Sequence, residues 1–92
     1  MKSIISDKKQ CYLCGSYQSI EVHHIFYGLA NRKLSEKYGL KIPLCHRCHN
    51  EAPYGVHFNR QLDLVVRKFA QEEFEKAYPN LDFTKIFGRN YI

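Results

Sequence analysis

The sequence predicts a small α+β domain, and three features of the chain indicate this class. Two segments near the middle have the composition of short β-strands, a run in the C-terminal third has helical periodicity, and four cysteines occur as two Cys-x2-Cys pairs. A chain of 92 residues has room for one domain with a modest core. A core of this size often needs a disulfide or a bound metal ion to be stable. We therefore expect residues 1–92 to form a single domain, with a core over about 11–60 and a helical C-terminal part over about 59–92.

The N-terminal half is predicted to contain two strands joined by a loop. Residues 1–10 are a polar lead-in, which we expect to be loose at its end. The segment 19–26 (SIEVHHIF) mixes apolar and polar residues as a short strand does, and 40–44 (LKIPL) is a second strand whose proline marks an edge or an end. The charged stretch 28–39 has no clear period and predicts a loop, in which 34–38 is the one part suited to a helical turn.

The C-terminal third is predicted to be helical. From about residue 59 to 78, apolar side chains recur at steps of three and four residues, and a proline follows directly. A shorter helix is expected over 81–87, with Asn80 or Asp82 as its N-cap and Gly88 at its end. We expect the apolar side chains of this last segment to pack back on the long helix.

Composition and charge restrict the classes of function. The formal net charge of +5 suits a polyanionic partner, although a charge of this size also serves ordinary solubility. The chain has no apolar run long enough to span a membrane, and its first residues turn polar before the apolar region of a signal peptide would form. We therefore expect a cytoplasmic location, where thiols stay reduced, and no membrane partner.

The four cysteines are spaced as ligands of one metal ion. Cys11 and Cys14 form the first pair, and Cys45 and Cys48 form the second pair after thirty intervening residues. Each pair fits a tight turn that directs two sulfur atoms towards one ion, and four thiolates satisfy tetrahedral zinc. The alternative of disulfides or unrelated thiols does not suit a reducing compartment. The pattern predicts a structural Zn2+ that ties the two halves of the domain together.

The five histidines lie in the middle third of the chain. His23 and His24 are adjacent in a predicted strand, so their side chains should point to opposite faces, one towards a metal and the other towards a substrate. A divalent ion held by His23, His49 and His57 would leave open positions for phosphate and water. Any one of these residues alone is more often a surface or hydrogen-bonded histidine. His46 lies between the second pair of cysteines and is expected to face solvent.

Four strings of the sequence together resemble the HNH (His-Me finger) endonucleases: CYLCG, EVHHI, IPLCHRCHN and GVHFN. More narrowly, the chain resembles the small zinc-containing HNH proteins of phages and prophages of Gram-positive bacteria, with motifs that cover residues 11–59 and a tail, IFGRNYI, that is also similar. The resemblance implies a ββα-metal core around a catalytic divalent ion, a four-cysteine zinc knuckle, DNA phosphodiester cleavage and a location in the cytoplasm of a bacterial host.

The resemblance also implies a role for each histidine of the motif. His24 matches the general base, and His23 matches the metal ligand that precedes it. His49 matches the family histidine at the helix start, and His57 matches a second helix-side ligand. The cysteines match the structural zinc of the zinc-bearing members. The identity of the catalytic ion stays open among Mg2+, Mn2+, Ni2+ and Zn2+, although histidine ligands suit magnesium least.

Two features depart from the family pattern. The central asparagine, which buttresses the loop that carries the base, has no match in the segment 39–41. His49 and His57 are eight residues apart rather than four, which on one continuous helix would leave their side chains about 80° apart. The intervening Pro53 and Gly55 must therefore form a bulge that brings His57 to the ion, or only one of the two histidines binds it.

Five basic residues that surround the histidines in the sequence are predicted to contact DNA phosphates: Arg32, Lys33, Lys37, Lys41 and Arg47. Such contacts position DNA without reading its sequence, so we expect nicking or cutting of double-stranded DNA with weak sequence preference. The alternative for each of these residues is that it belongs to a solvated charged loop and does not contact DNA.

Functions of two other classes stay open. A non-catalytic zinc ribbon that binds nucleic acid or protein would need only the cysteines and would have no use for the pair His23 and His24. An accessory subunit of a phage recombination or packaging complex would cleave DNA only together with a phage protein partner. The sequence identifies neither such a partner nor an oligomeric state.

Overall fold

The computed structural model describes residues 2–92, and within that range the chain forms two strands and four helices. In chain order they are β1 (Ile20–His24), α1 (Leu29–Tyr38), β2 (Lys41–Cys45), α2 (His46–Asn50), α3 (Arg60–Ala77) and α4 (Phe83–Phe87). The predicted α+β class is confirmed, including a β-hairpin followed by helices and a long helix in the C-terminal part.

The two strands form an antiparallel sheet, and their register sets the positions of the histidines. Glu21 lies opposite Leu44, His23 opposite Ile42, and His24 opposite Lys41. Helix α2 starts directly after β2, so β1, β2 and α2 make up a ββα arrangement like that of the predicted core. All five residues of β2 are buried, because the rest of the chain covers both faces of the sheet there.

Helix α1 replaces most of the loop predicted over 28–39, of which only 34–38 was expected to form a helical turn. It has ten residues, and it ends at Gly39, whose φ of 71° is the left-handed conformation that glycine adopts without strain. The segment shows no clear apolar period because its contact face is narrow and includes a buried serine, Ser35, among partly buried Leu34 and Tyr38. Residues with good helix propensity fill most of the remaining positions.

Both predicted C-terminal helices are present, although α4 begins at Phe83 rather than at residue 81. Asn59 precedes α3, and its side chain accepts a hydrogen bond from the Leu62 backbone N–H at 3.1 Å. Of the two residues proposed as the cap of α4, Asp82 is the one that serves, because it accepts from the Lys85 backbone N–H at 3.2 Å. Gly88 ends α4 in the left-handed conformation, with a φ of 82°.

An aromatic cluster joins the C-terminal helices to the end of β1. The ring of Phe26, just beyond β1, lies 5.1 Å from the ring of Phe83 and 4.9 Å from that of Phe87. Phe74 of α3 completes the cluster, 5.4 Å from Phe83. Burial of each such side chain contributes about 1.5–3 kcal/mol. This core anchors the segment that follows the histidine pair.

The N-terminal segment packs against the rest of the chain from Ser3 onwards. The backbone N–H of Ile4 donates to the Gly39 carbonyl at 2.9 Å, and the Ser3 hydroxyl donates to the Lys41 carbonyl at 2.5 Å. Ile4 and Ile5 lie partly buried against the core. Met1 lies outside the described residues. The segment is polar on average, so its composition did not reveal that Ile4 and Ile5 hold it against the core.

Candidate metal centres

The four cysteines come together in one cluster that is consistent with a structural Zn2+. One ligand atom from each lies within 4.8 Å of the others, and all four thiols are free of disulfides. The Sγ atoms of Cys14 and Cys45 are 3.6 Å apart. Two sulfur atoms bound to one tetrahedral zinc at about 2.3 Å are separated by about 3.8 Å. The cluster therefore has the dimensions of such a site.

Backbone hydrogen bonds hold the first cysteine turn against the strand that leads to the second. The N–H of Tyr12 donates to the Pro43 carbonyl at 2.8 Å, and the N–H of Gly15 donates to the Cys11 carbonyl at 3.0 Å. Burial raises the pKa of Cys11, but hydrogen bonds from backbone N–H groups, that of Cys45 foremost, outweigh burial and lower the pKa to about 6. A thiolate at this position suits a metal ligand.

Three histidines predicted to bind a second ion also form one cluster. One ring nitrogen of each of His23, His49 and His57 lies within 4.8 Å of the others. The Nε2 atoms of His49 and His57 face each other at 3.1 Å. Two nitrogen atoms bound to one ion at about 2.0–2.1 Å are about 2.8–3.4 Å apart for angles from octahedral to tetrahedral. The cluster can hold a metal ion with all three residues.

The bulge predicted between the two helix-side histidines is present. Helix α2 ends at Asn50, and a turn returns the chain so that the N–H of Val56 donates to the Cys48 carbonyl at 2.8 Å and that of His57 to the His49 carbonyl at 3.5 Å. Gly55 passes so close that a Cβ atom added there would lie 2.7 Å from the carbonyl oxygen of His49. The turn thereby brings His57 next to His49.

The burial of His23 supports a metal at this cluster. Its side chain is 1% exposed, and its Nε2 is a buried nitrogen without a hydrogen-bond partner among residues 2–92. Burial first, and then the neighbouring His49 and His57, lower its pKa to about 3, so the ring is neutral at pH 7. A buried polar atom without a partner is destabilising, whereas a lone pair bound to an ion is satisfied. The residues present therefore fit a divalent cation.

Glu21 orients one candidate ligand of this cluster. Its Oε1 lies 2.8 Å from Nδ1 of His49, and its Oε2 lies 3.0 Å from Nδ1 of His46. The bond to His49 leaves Nε2, the atom that faces His57, available for a metal. These hydrogen bonds, with that to His49 foremost, lower the pKa of Glu21. As expected, His46 is exposed and lies outside the cluster.

His24 lies beside the cluster but has a different partner. Its Nε2 is 2.9 Å from Oε1 of Glu36, a residue of α1. The second carboxylate oxygen of Glu36 pairs with the ammonium of Lys41. His23 and His24 therefore differ in environment, as adjacent strand residues should. A cleft of about 320 Å3 has both residues in its wall, together with His49, His57 and Arg32. A substrate in this cleft would meet His24 and the three-histidine cluster at once.

Ser35 buttresses the segment that follows the histidine pair. Its hydroxyl accepts from the Phe26 N–H at 3.1 Å and donates to the Phe26 carbonyl at 2.8 Å, and the residue is fully buried. The single side chain thus satisfies both backbone groups of Phe26 and holds α1 to the chain beyond β1. Sequence reasoning missed this residue because only a helical turn over 34–38 was predicted, and nothing in the sequence pairs that turn with Phe26.

A buried ion pair supports the other side of the histidine cluster. Asp63 and Arg67 in α3 approach to 3.1 Å, and the Tyr27 hydroxyl donates to Asp63 at 3.1 Å. Arg67 also donates to the Tyr91 hydroxyl at 2.8 Å. The ring of Tyr27 lies 4.7 Å from that of His57. The network therefore joins the long helix and the C-terminal segment to the position of one candidate ligand.

The basic residues predicted to contact DNA differ in their surroundings. Arg32 and Lys33 line a second cleft of about 350 Å3 with His24 and Glu36. Lys37 is exposed on the same helix, and Arg47 of α2 lies 4.3 Å above the centre of the Tyr54 ring. Lys41 is buried with its ammonium on Glu36, so a phosphate contact would require that ion pair to open. The assignment of all five to DNA stays a prediction.

Within residues 2–92, no helix is both long and apolar enough to cross a membrane. Comparisons with protein-family models, with curated proteins and with solved structures found no match to this chain. The geometry of the two metal clusters and of their surroundings is therefore what bears on function.

Proposed function

We propose that this chain is a metal-dependent DNA endonuclease of the HNH type, with His24 as the general base and a catalytic divalent ion at His23, His49 and His57. The observation that carries the proposal is the unpartnered Nε2 of His23, buried beside His49 and His57 in the cleft that His24 also lines. A purely structural zinc protein has no need for this second set of ligands next to a further histidine.

The four cysteines would hold a structural zinc. Their sulfur spacing and their position support this, because Cys45 and Cys48 flank the start of α2, directly beside His49. Zinc bound there would fix the helix that carries one ligand of the catalytic site. In small domains such an ion contributes directly to folding.

His24 would remove a proton from the attacking water as the water oxygen bonds to phosphorus. The bond between phosphorus and the 3′ oxygen breaks, and the leaving oxygen takes a proton from solvent. The divalent ion, when bound, supplies Lewis-acid stabilisation of the charge on the phosphate. His23, His49 and His57 supply three ligands and leave coordination positions for substrate oxygen and water. Each of these residues lies in the wall of one cleft.

Double-stranded DNA is the proposed substrate. Arg32 lies in the wall of the cleft with the histidines, and Lys33 lines the adjoining cleft with His24. The formal net charge of +5 adds a general attraction for a polyanion. Side chains of this kind contact phosphates and confer little sequence preference.

A plasmid-nicking assay tests the proposal. Zinc-loaded wild-type protein is incubated with supercoiled DNA and added Mg2+, Mn2+, Ni2+ or Zn2+, beside His24→Ala, His23→Ala and Glu72→Ala. Glu72 is an exposed residue of α3 that makes no ion pair within residues 2–92 and serves as the control. We expect the wild type and Glu72→Ala to nick DNA, and the two histidine variants to lose at least about 10²-fold in rate.

Absence of nicking by folded wild-type protein with both sites loaded would contradict the proposal. The non-catalytic zinc ribbon would then be tested by direct binding to DNA. An accessory subunit would show cleavage only after a lysate fraction that holds its phage partner is added. Wild-type rates from His24→Ala would instead refute His24 as the base while leaving a nuclease possible.

A further inference from the structure

We propose that Glu36 is a positioning residue that fixes the ring of His24 and its tautomer, so that Nδ1 is the nitrogen that accepts the proton from water. This inference rests on the proposed role of His24 as the general base. It adds a residue of α1, a helix that the sequence did not predict, to the machinery of the site.

The first argument is the position of the carboxylate. Oε1 of Glu36 lies 2.9 Å from Nε2 of His24, although the two residues are twelve positions apart in the chain. The side chain of His24 is 13% exposed, so the ring is confined, whereas its Nδ1 has no hydrogen-bond partner among residues 2–92. One ring nitrogen is therefore engaged, and the other is open to a substrate water.

The second argument is the charge of the carboxylate. Lys41 lies opposite His24 in the sheet, and its buried ammonium pairs with the other oxygen of Glu36. The hydrogen bond from Lys41, followed by that of His24, lowers the pKa of Glu36 to about 2, so this group is ionised near neutral pH. An ionised carboxylate can only accept, and Nε2 of His24 must therefore carry the hydrogen. A neutral ring with hydrogen at Nε2 has its lone pair at Nδ1.

The third argument is the support of the carboxylate itself. Ser35, adjacent to Glu36, is fully buried and makes hydrogen bonds to both backbone groups of Phe26, two residues beyond His24. This pair of hydrogen bonds fixes α1 relative to β1. When His24 accepts a proton, the resulting imidazolium has the Glu36 carboxylate on its other nitrogen. In a carboxylate–histidine pair, the carboxylate generally orients the ring and stabilises the imidazolium, while the other ring nitrogen takes the proton.

Tautomer measurement tests the inference without any cleavage assay. Long-range 1H–15N spectra of zinc-loaded protein report which nitrogen of His24 carries hydrogen, in the wild type and in Glu36→Gln. We expect the Nε2–H form in the wild type and a mixed or Nδ1–H form in Glu36→Gln, because the amide can also donate to the ring. An Nδ1–H form in the wild type, or an unchanged tautomer in the variant, would overturn the inference.

Kinetics provide the second readout. Glu36→Gln should lower kcat by about 10²-fold, with KM and the affinity for Co2+ at the histidine cluster unchanged. Glu72→Gln is the matched control and should behave as the wild type, and circular dichroism confirms that both variants are folded. Equal kcat values for Glu36→Gln and the wild type would refute a positioning role. If the wild type fails to cleave DNA, the proposed function fails, and the tautomer measurement alone decides the inference about Glu36.

Discussion

The Nε2 atoms of His49 and His57 lie 3.1 Å apart, although the two histidines are eight positions apart in the chain. A continuous helix would have turned them about 80° away from each other. The structure avoids this by ending α2 at Asn50 and returning the backbone, so that Val56 and His57 donate to the carbonyls of Cys48 and His49. The two candidate metal sites thereby share one backbone segment, and this relationship leads to the predictions below.

Metal stoichiometry should separate the ligands from the proposed base. We expect zinc-loaded wild-type protein to bind one further equivalent of Co2+, and His57→Ala to lose this equivalent because two histidines remain. His24→Ala should bind Co2+ as the wild type does, since His24 lies outside the three-histidine cluster. Isothermal titration and cobalt absorption measure both. Co2+ binding by His57→Ala with unchanged affinity would show that His57 is not a ligand.

The contact of Gly55 with His49 predicts a backbone effect on the same site. A Cβ atom at position 55 would meet the His49 carbonyl oxygen at 2.7 Å, a distance that backbone atoms cannot relieve without moving. Gly55→Ala should therefore displace the turn and weaken Co2+ binding by the histidine cluster. The cysteine cluster should keep its zinc, which metal analysis checks. Ala52→Gly is the control, because it changes the turn that contains Gly55 without adding an atom. Gly28→Ala is unsuitable, because Gly28 has a positive φ at which alanine is strained.

The sequence predicted the cysteine and histidine clusters better than the residues that surround them. Cys45 and Cys48 form a Cys-x2-Cys pair whose spacing is diagnostic over a few residues, and His23 and His57 lie in short strings that resemble a family motif. Helix α3 was also predictable, because its apolar side chains repeat with the helical period over 18 residues. Such local patterns are visible in a single sequence.

The supporting residues depend on contacts between distant segments. Glu21 meets His49 across 28 positions, and Glu36 meets His24 across twelve. Charged residues in polar stretches give no periodic signal, so neither pairing could be read from the sequence. The narrow contact face of α1, centred on Ser35, hid the helix that carries Glu36.

Removal of the Glu21 carboxylate should weaken metal binding without loss of a ligand. Glu21 accepts the Nδ1–H of His49 and so fixes the ring with Nε2 towards the cluster. Loss of such a supporting bond typically lowers metal affinity by about 10–100-fold. We expect Glu21→Gln to show this loss in a Co2+ titration. His46→Ala, which removes only the partner of the second oxygen, should have nearly wild-type affinity, and equal weakening by both variants would contradict this account.

The free energy of unfolding should depend strongly on both members of the buried pair of Asp63 and Arg67. Their side chains are 6% and 13% exposed, so Asp63→Ala leaves a nearly buried guanidinium without its carboxylate. Loss of one member of such a pair typically costs about 3–5 kcal/mol of unfolding free energy. Urea denaturation of zinc-loaded protein measures this loss of unfolding free energy. The double variant with Arg67→Met removes the stranded charge and should recover most of the loss; no recovery would show that packing, rather than charge, dominates.

Burial of His23 predicts a loss of stability in mild acid when the histidine cluster holds no ion. Its pKa in the folded protein is lowered to about 3, primarily by burial, whereas an unfolded chain has a value of about 6.5. Because the unfolded state takes up the proton first, the contribution of His23 is full above pH 6.5 and is lost as the pH falls towards 3. Between pH 6.5 and 5.5 the unfolding free energy should drop by about 1 kcal/mol from this residue alone.

The matched variant is His23→Leu, which has an apolar side chain that does not titrate. The pKa of His57 is also lowered, first by burial, but its contribution is present in both proteins. Denaturation at pH 5.5, 6.0, 6.5 and 7.0, with the cysteines zinc-loaded and the histidine cluster metal-free, should therefore show a steeper decline in the wild type. Parallel pH profiles would mean that the folded protein accommodates a protonated His23, so its ring would be less enclosed than the structure indicates. A saturating ion at the cluster should make the wild-type decline steeper still, because protons then compete with the metal for the ligands.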